Sequence, residues 1–184
     1  MTMMEVLSVT AILALLSALL YPVIREQIGR AKVAQCVGKL RQVHTALMLY
    51  RENQSGTVPY GFSDEMGLPT PAMTTLIRGG YLSRQDTVCS LGYYPGPGKT
   101  GVFNLFWSPR EFGAAALPWL SYVQSRKEKA VLVMDMNHDP ASSFYSAYEQ
   151  HLGIGVYLDG HVSVLRKPGL MHQPTWWDDF GGDE

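Results

Sequence analysis

Nineteen consecutive residues near the start of the chain, VLSVTAILALLSALLYPVI at 6–24, carry no charge, and residues 1–24 contain only one, Glu5. Wound as a helix, 24 residues reach about 36 Å, enough to cross the hydrocarbon of a bilayer. A chain with such a segment has to supply it with lipid, with a protein core, or with other copies of itself. Glu5 sharpens the demand. A carboxylate at hydrocarbon depth costs at least about 2–3 kcal/mol, so it calls for a cation, and no Lys or Arg precedes Arg25. A signal peptide is the weaker reading, because the apolar core is long, no basic stretch leads it, and no small-residue exit follows before Arg25. Arg25, Arg30 and Lys32 all follow the run, and taken alone they would hold the bulk of the protein in the cytoplasm.

The helical pattern continues past the apolar run. Val33, Cys36, Leu40, Val43, Leu47 and Tyr50 recur at alternating steps of three and four, which lays one apolar stripe along an amphipathic helix. One continuous helix is therefore predicted from about residue 2 to about residue 52, ended by Asn53-Gln54-Ser55-Gly56. At about 75 Å it is longer than a small domain is wide, so half of it should lie outside the fold that its other half supports. Pro22 removes one backbone hydrogen bond and is expected to kink or loosen the turn before it, a fault tolerated in lipid. Residues 25–52 hold six Lys/Arg against two Glu, whereas 53–184 hold nine against thirteen Asp/Glu. That imbalance is too small for a nucleic-acid footprint and suits a basic stem packing beside an acidic head of a neighbouring copy.

Beyond residue 53 the text changes. Residues 54–70 read as loop, PAMTTLIRGGYL as a short helix closed by Gly79-Gly80, and 90–101 as a glycine- and proline-rich loop. Strand signals come late, in AVLVMD at 130–135 and in IGVYL and HVSVL on either side of Asp159-Gly160. Asp-Gly between two β-rich runs predicts a tight hairpin turn, since such turns need positive φ. The expected fold class is thus α+β, a long N-terminal helix packed against a small antiparallel sheet. Its divisions are 1–24 (membrane or filament core), 25–53 (amphipathic half of the helix) and 54–184 (globular head). The tail PTWWDDFGGDE is aromatic and then acidic, and is expected to dock on its own head.

Several chemistries are excluded by spacing. Gly98-Lys99-Thr100 ends like a phosphate-binding loop, but the leading glycine falls at Gly92 where the motif needs it at Tyr93, and two prolines interrupt the cradle. His138, Asp139, His151, Asp159 and His161 show neither a helical His pair nor the carboxylate alternation of a calcium loop. No metal and no cofactor are expected, and the one open question there is calcium near the Asp-Gly turn. No nucleophile elbow or paired carboxylates stand out, so no enzyme is expected. Two cysteines, Cys36 and Cys89, exclude a disulfide-dense scaffold.

Met1, Glu5 and Pro22 stand in the register seen at the mature N-terminus of type IV pilins and of type II secretion pseudopilins, which the chain resembles. Met replaces the commoner Phe at the first place. The rest of the helix is similar to the C-x-x-x-L-K-Q-I-x-x-A-L-x-x-Y pattern of many prepilin-type proteins, here Cys36, Leu40, Arg41, Gln42, Val43, Ala46, Leu47 and Tyr50. Further on, Cys89, Asp135 and the run from His151 to Asp159-Gly160-His161-Val162 resemble the same subfamily. Only seven residues separate His151 from Asp159, however, where that pattern has nine. The resemblance implies a pilin-like fold and a structural subunit polymerising into an extracellular filament through its apolar helix. It implies cleavage before Met1 by a prepilin peptidase, methylation of the new amine, and pairing of Glu5 with the Met1 amine of a neighbouring copy. It also implies Pro22 as a kink or melting point, a head in the periplasm before assembly, and a Cys36–Cys89 disulfide, two separate buried thiols being the alternative. The expected partners are copies of the chain, the assembly machinery and, before assembly, the inner membrane. The alternatives are a type II secretion pseudopilin and a membrane-anchored binding module.

Overall fold

The structure, a computed structural model, describes residues 3–69, 72–89, 101–102, 116–136, 138 and 147–178. Met1, Asp139, Gly92, Tyr93 and the Gly98-Lys99-Thr100 sequence lie outside the described residues, as does the end of the tail from 179. The chain divides into two compact units, Met1–Ala34 and Gln35–Glu184.

The first unit is helical. Helix α1 spans Met3–Gln54 and runs without interruption through Pro22. Every residue from 3 to 28 is exposed. The serine and threonine side chains in the apolar run donate back to helix carbonyls: Ser8 to Glu5, Thr10 to Val6 and Leu7, and Ser17 to Leu13, at 2.8–3.0 Å. Those bonds leave the segment with little polar demand on its surroundings. Near its end Arg30 forms a surface ion pair with Glu26 one turn earlier at 2.6 Å.

The second unit is α+β. It contains the end of α1, where Cys36, Leu40, Val43 and Leu47 are wholly buried and Ala46 nearly so. The predicted stripe is thus the core face, with Val33 and Tyr50 half-buried at its two ends. Helix α2, Ala72–Arg78, closes as the sequence suggests: the Tyr81 N–H donates to Leu76 and the Gly80 N–H to Ile77, the paired bonds that finish many helices. Strands β1 (Val88–Cys89) and β2 (Gly101–Val102) form a two-residue antiparallel ladder. Helix α3, Ala116–Arg126, leads through a 3-10 turn at Lys127–Lys129 into the main sheet.

That sheet is antiparallel, in the order β3 (Val131–Asp135), β4 (Gln150–Tyr157), β5 (Val162–Pro168). All five residues of β3 are buried, as expected of a run with no polar alternation. The β4–β5 turn differs from a two-residue Asp-Gly turn. The Tyr157 N–H donates to His161 and the Gly160 N–H to Tyr157, which makes a three-residue loop of Leu158, Asp159 and Gly160. Only Gly160 has positive φ, at 88°, the arrangement that suits a three-residue hairpin with glycine last. Asp159 contributes by accepting from the His161 N–H at 3.0 Å.

The chain after β5 folds back over this sheet. Trp176 and Trp177, in the 3-10 turn Pro174–Trp177, pack edge to face with ring centroids 4.8 Å apart. Both are held by their indole N–H groups, Trp176 to Pro168 and Trp177 to Met171. The rings occupy the room left by Gly153, where a Cβ would lie 2.7 Å from each. Tyr157 donates its hydroxyl to the Trp177 carbonyl at 2.6 Å, and Arg126 grips both carboxylate oxygens of Asp178 at 3.0 and 2.6 Å.

Candidate functional site

Two places concentrate unusual chemistry. The first is the surface of α1 over residues 3–28. It presents large apolar side chains on all sides, from Met3 at 83% exposure to Val6 at 47%. By length and composition this helix is able to cross a membrane. Glu5 sits exposed in its first turn, where a carboxylate gains about 0.3–1 kcal/mol from the positive end of the helix dipole. That local gain is smaller than the cost of burying it in hydrocarbon without a cation. A cation beside the carboxylate, from the chain itself or from its surroundings, would offset that cost.

The second place lies inside the Gln35–Glu184 unit. Cys36, the first buried residue of the α1 stripe, is joined to Cys89 in a disulfide with the Cα atoms 5.3 Å apart. The segment carrying Cys89 is drawn onto α1 by Lys39, which donates to the Gln85 and Val88 carbonyls at 2.8 and 2.7 Å. Asp86 fixes the bend before it, accepting from the Ser83 hydroxyl and N–H at 2.6 and 3.0 Å. Those bonds hold its carboxyl below the ordinary range. Closing a loop with a sequence separation of 53 corresponds to about 4 kcal/mol of lost freedom in the unfolded chain.

Beside the sulfurs lie two ionisable groups. Asp135, the last residue of β3, is fully buried, and His138 places Nε2 3.1 Å from its Oδ2. The His138 side chain is 1% exposed, although its backbone reaches the surface. The pair is an electrostatic contact rather than an aligned hydrogen bond, since neither ring nitrogen of His138 makes one. One donor atom from each of Cys36, Cys89, Asp135 and His138 falls within 4.8 Å of all the others.

The sequence-predicted candidates are thus spread apart. Of the His and Asp residues weighed together in the sequence, His138 belongs to this buried cluster, while His151 lies buried in β4 opposite Lys167. Asp159 and His161 pair on the exposed hairpin, where the His161 ring stacks on Tyr157 at 4.0 Å. His44 reaches that hairpin from α1, with Nε2 3.1 Å from the Leu158 carbonyl. Sequence spacing did not link Asp135 and His138 to the cysteines. The one available signal was an acid closing a wholly apolar strand, with a histidine three residues on. Comparison with family models, with curated proteins and with solved structures finds no match to this chain.

Proposed function

We propose that the chain is a structural subunit of a type IV pilus-like filament, held in the inner membrane by α1 before assembly and packed among copies of itself afterwards. The observation that carries this reading is the apolar surface of α1 over residues 3–28, exposed on every side and marked by a single carboxylate in its first turn. The register of Met1, Glu5 and Pro22 supports it through the resemblance to prepilin-type proteins. In the filament, Glu5 meets the processed and methylated Met1 amine of a neighbouring copy. Such a buried pair adds little net stability, but a subunit out of register strands both charges at about 3–5 kcal/mol. The pair therefore sets register more than strength. The globular part, outside the membrane, gives the fibre its surface, and an oxidising compartment there permits the disulfide.

Electron microscopy of material sheared from cells, with mass spectrometry of the chain, tests this. The expected result is long thin fibres whose subunit begins at N-methylated Met1, and their loss in Glu5→Ala while the chain still reaches the membrane. Membrane-bound chain with no fibres under any condition would transfer the assignment to a pseudopilin or an anchored binding module. Fibres unaffected by Glu5→Ala would overturn the role given to that carboxylate.

A further inference from the structure

A structural disulfide needs nothing from its neighbours but apolar packing, yet this one is bordered by a buried carboxylate and a buried imidazole. Disulfide sulfur is a poor hydrogen-bond partner, and both ring nitrogens of His138 are left without one. Burying an imidazole in that condition costs free energy in the oxidised protein. The same four side chains become a coherent set once the cysteines are thiols. Two thiolates, one imidazole and one carboxylate are ligands that zinc accepts in tetrahedral sites. With metal–ligand bonds of about 2.0–2.3 Å, neighbouring donors of such a tetrahedron stand roughly 3.3–3.8 Å apart. The four donor atoms here already lie within 4.8 Å of one another. All four side chains are at most 1% exposed, so a metal would be closed off from bulk water. Each belongs to the Gln35–Glu184 unit, with Cys36 on α1, Cys89 on β1, Asp135 ending β3 and His138 just beyond it.

We propose that the dithiol form of the chain binds one zinc-class divalent cation through Cys36, Cys89, Asp135 and His138, so that metal and disulfide are alternative occupants of one buried site. The newly made chain starts as the dithiol. Metal binding displaces one proton from each thiol, leaving two thiolates on the cation. When a disulfide-bearing oxidant takes two electrons from those thiolates, the Cys36–Cys89 bond forms, the oxidant takes up two protons from water to become a dithiol, and the cation leaves. Held in this way, the cysteines are kept paired with each other and shielded from wrong partners until oxidation. The inference stands apart from the filament reading, since it uses none of the residues that carry it.

Cobalt(II), which reports thiolate and tetrahedral ligation through its absorption spectrum, is the probe. Full-length chain in detergent micelles is compared in the oxidised form and after anaerobic reduction with a phosphine. The reduced chain is expected to bind one equivalent, with thiolate-to-metal charge transfer and tetrahedral ligand-field bands that zinc(II) abolishes, and the oxidised chain to give neither. His138→Gln and Asp135→Asn are each expected to weaken zinc more than tenfold in competition with a chelating dye, and His161→Ala to leave it unchanged. Zinc is also expected to slow re-formation of the disulfide by an added small-molecule disulfide, followed by thiol alkylation and mass spectrometry. Absence of the bands in the reduced chain overturns the proposal. So does equal affinity in His138→Gln, which would mean that two cysteines alone capture the metal. If reduction unfolds the chain, zinc has to restore the tryptophan emission of the oxidised protein, and failure to do so is equally fatal.

Discussion

Helix α1 contains two regions with the same backbone and opposite surroundings. Residues 6–24 are uncharged on all sides and exposed throughout, Leu13 at 57% and Leu19 at 64%. Some twenty residues later Cys36, Leu40, Val43 and Leu47 are at 0%. An all-round apolar helix needs a non-aqueous environment on every side, whereas a striped one needs a single partner. The first region accordingly asks for many neighbours, and the second is satisfied within its own chain. Their polar groups differ in part, although Thr45 also donates back to the Arg41 carbonyl. Ser8, Thr10 and Ser17 turn their hydroxyls inward to the helix carbonyls, while Lys39 and His44 reach across to carbonyls far along the sequence. What a helix buries is decided by its surface pattern, not by its being helical.

Substitutions on the two regions break this comparison most directly. Leu40→Ala is expected to destabilise the Gln35–Glu184 unit by about 2–5 kcal/mol through the cavity it leaves. Leu13→Ala should change that unit by less than about 0.5 kcal/mol in detergent. All four tryptophans lie beyond residue 100, so urea unfolding followed by tryptophan emission reads the second unit alone. Equal losses in the two variants would abolish the distinction.

A smaller effect separates the two regions by pH. Burial pushes the Tyr122 phenol up from 10.0 to about 12, against the opposing effect of the hydrogen bond it accepts from the Val131 N–H. The folded protein then holds its proton more tightly than the unfolded chain. The corresponding stability is fully present below pH 10 and is lost as pH rises towards about 12, a fall of roughly 2–3 kcal/mol. Tryptophan-detected urea midpoints across that range should drop in the wild type. Tyr122→Phe should be nearly flat over the same window, and an equally steep fall in that variant would remove Tyr122 as the cause.

The smallest effect belongs to the surface. Arg126 and Asp178 form a two-pronged ion pair with side chains 46% and 20% exposed, and the hydrogen bonding to Asp178, then its charge, raises the Arg126 pKa. Arg126→Ala should cost no more than about 1 kcal/mol and less in high salt. A larger loss in the urea midpoint would show that the pair anchors the Trp176–Trp177 turn rather than decorating it.

The legible parts of the molecule are those where a short repeat carries the information. Steps of three and four marked Cys36, Leu40, Val43 and Leu47 as one face, and those residues form the buried face of α1. Ala46, also buried, escaped because a small side chain weakens the stripe. Asp159-Gly160 placed the hairpin but not its loop length, which depends on Tyr157 and His161 closing the ladder. The aromatic tail was expected on its own head, but its seat over Gly153 was not legible, since a missing side chain in a strand does not name what fills the space.

From the sequence alone come the long helix, the change in its surface from all-round apolar to striped, and the late hairpin. Each follows from side chains repeating at the fixed spacing of a local backbone. The Cys36–Cys89 bond, which the resemblance implied, is present in the structure, and only the tertiary structure decided that Asp135 and His138 close beside it and that His44 touches the turn after β4. These contacts join residues tens of positions apart, and they depend on how loops close and cores fill. No period in the sequence records that.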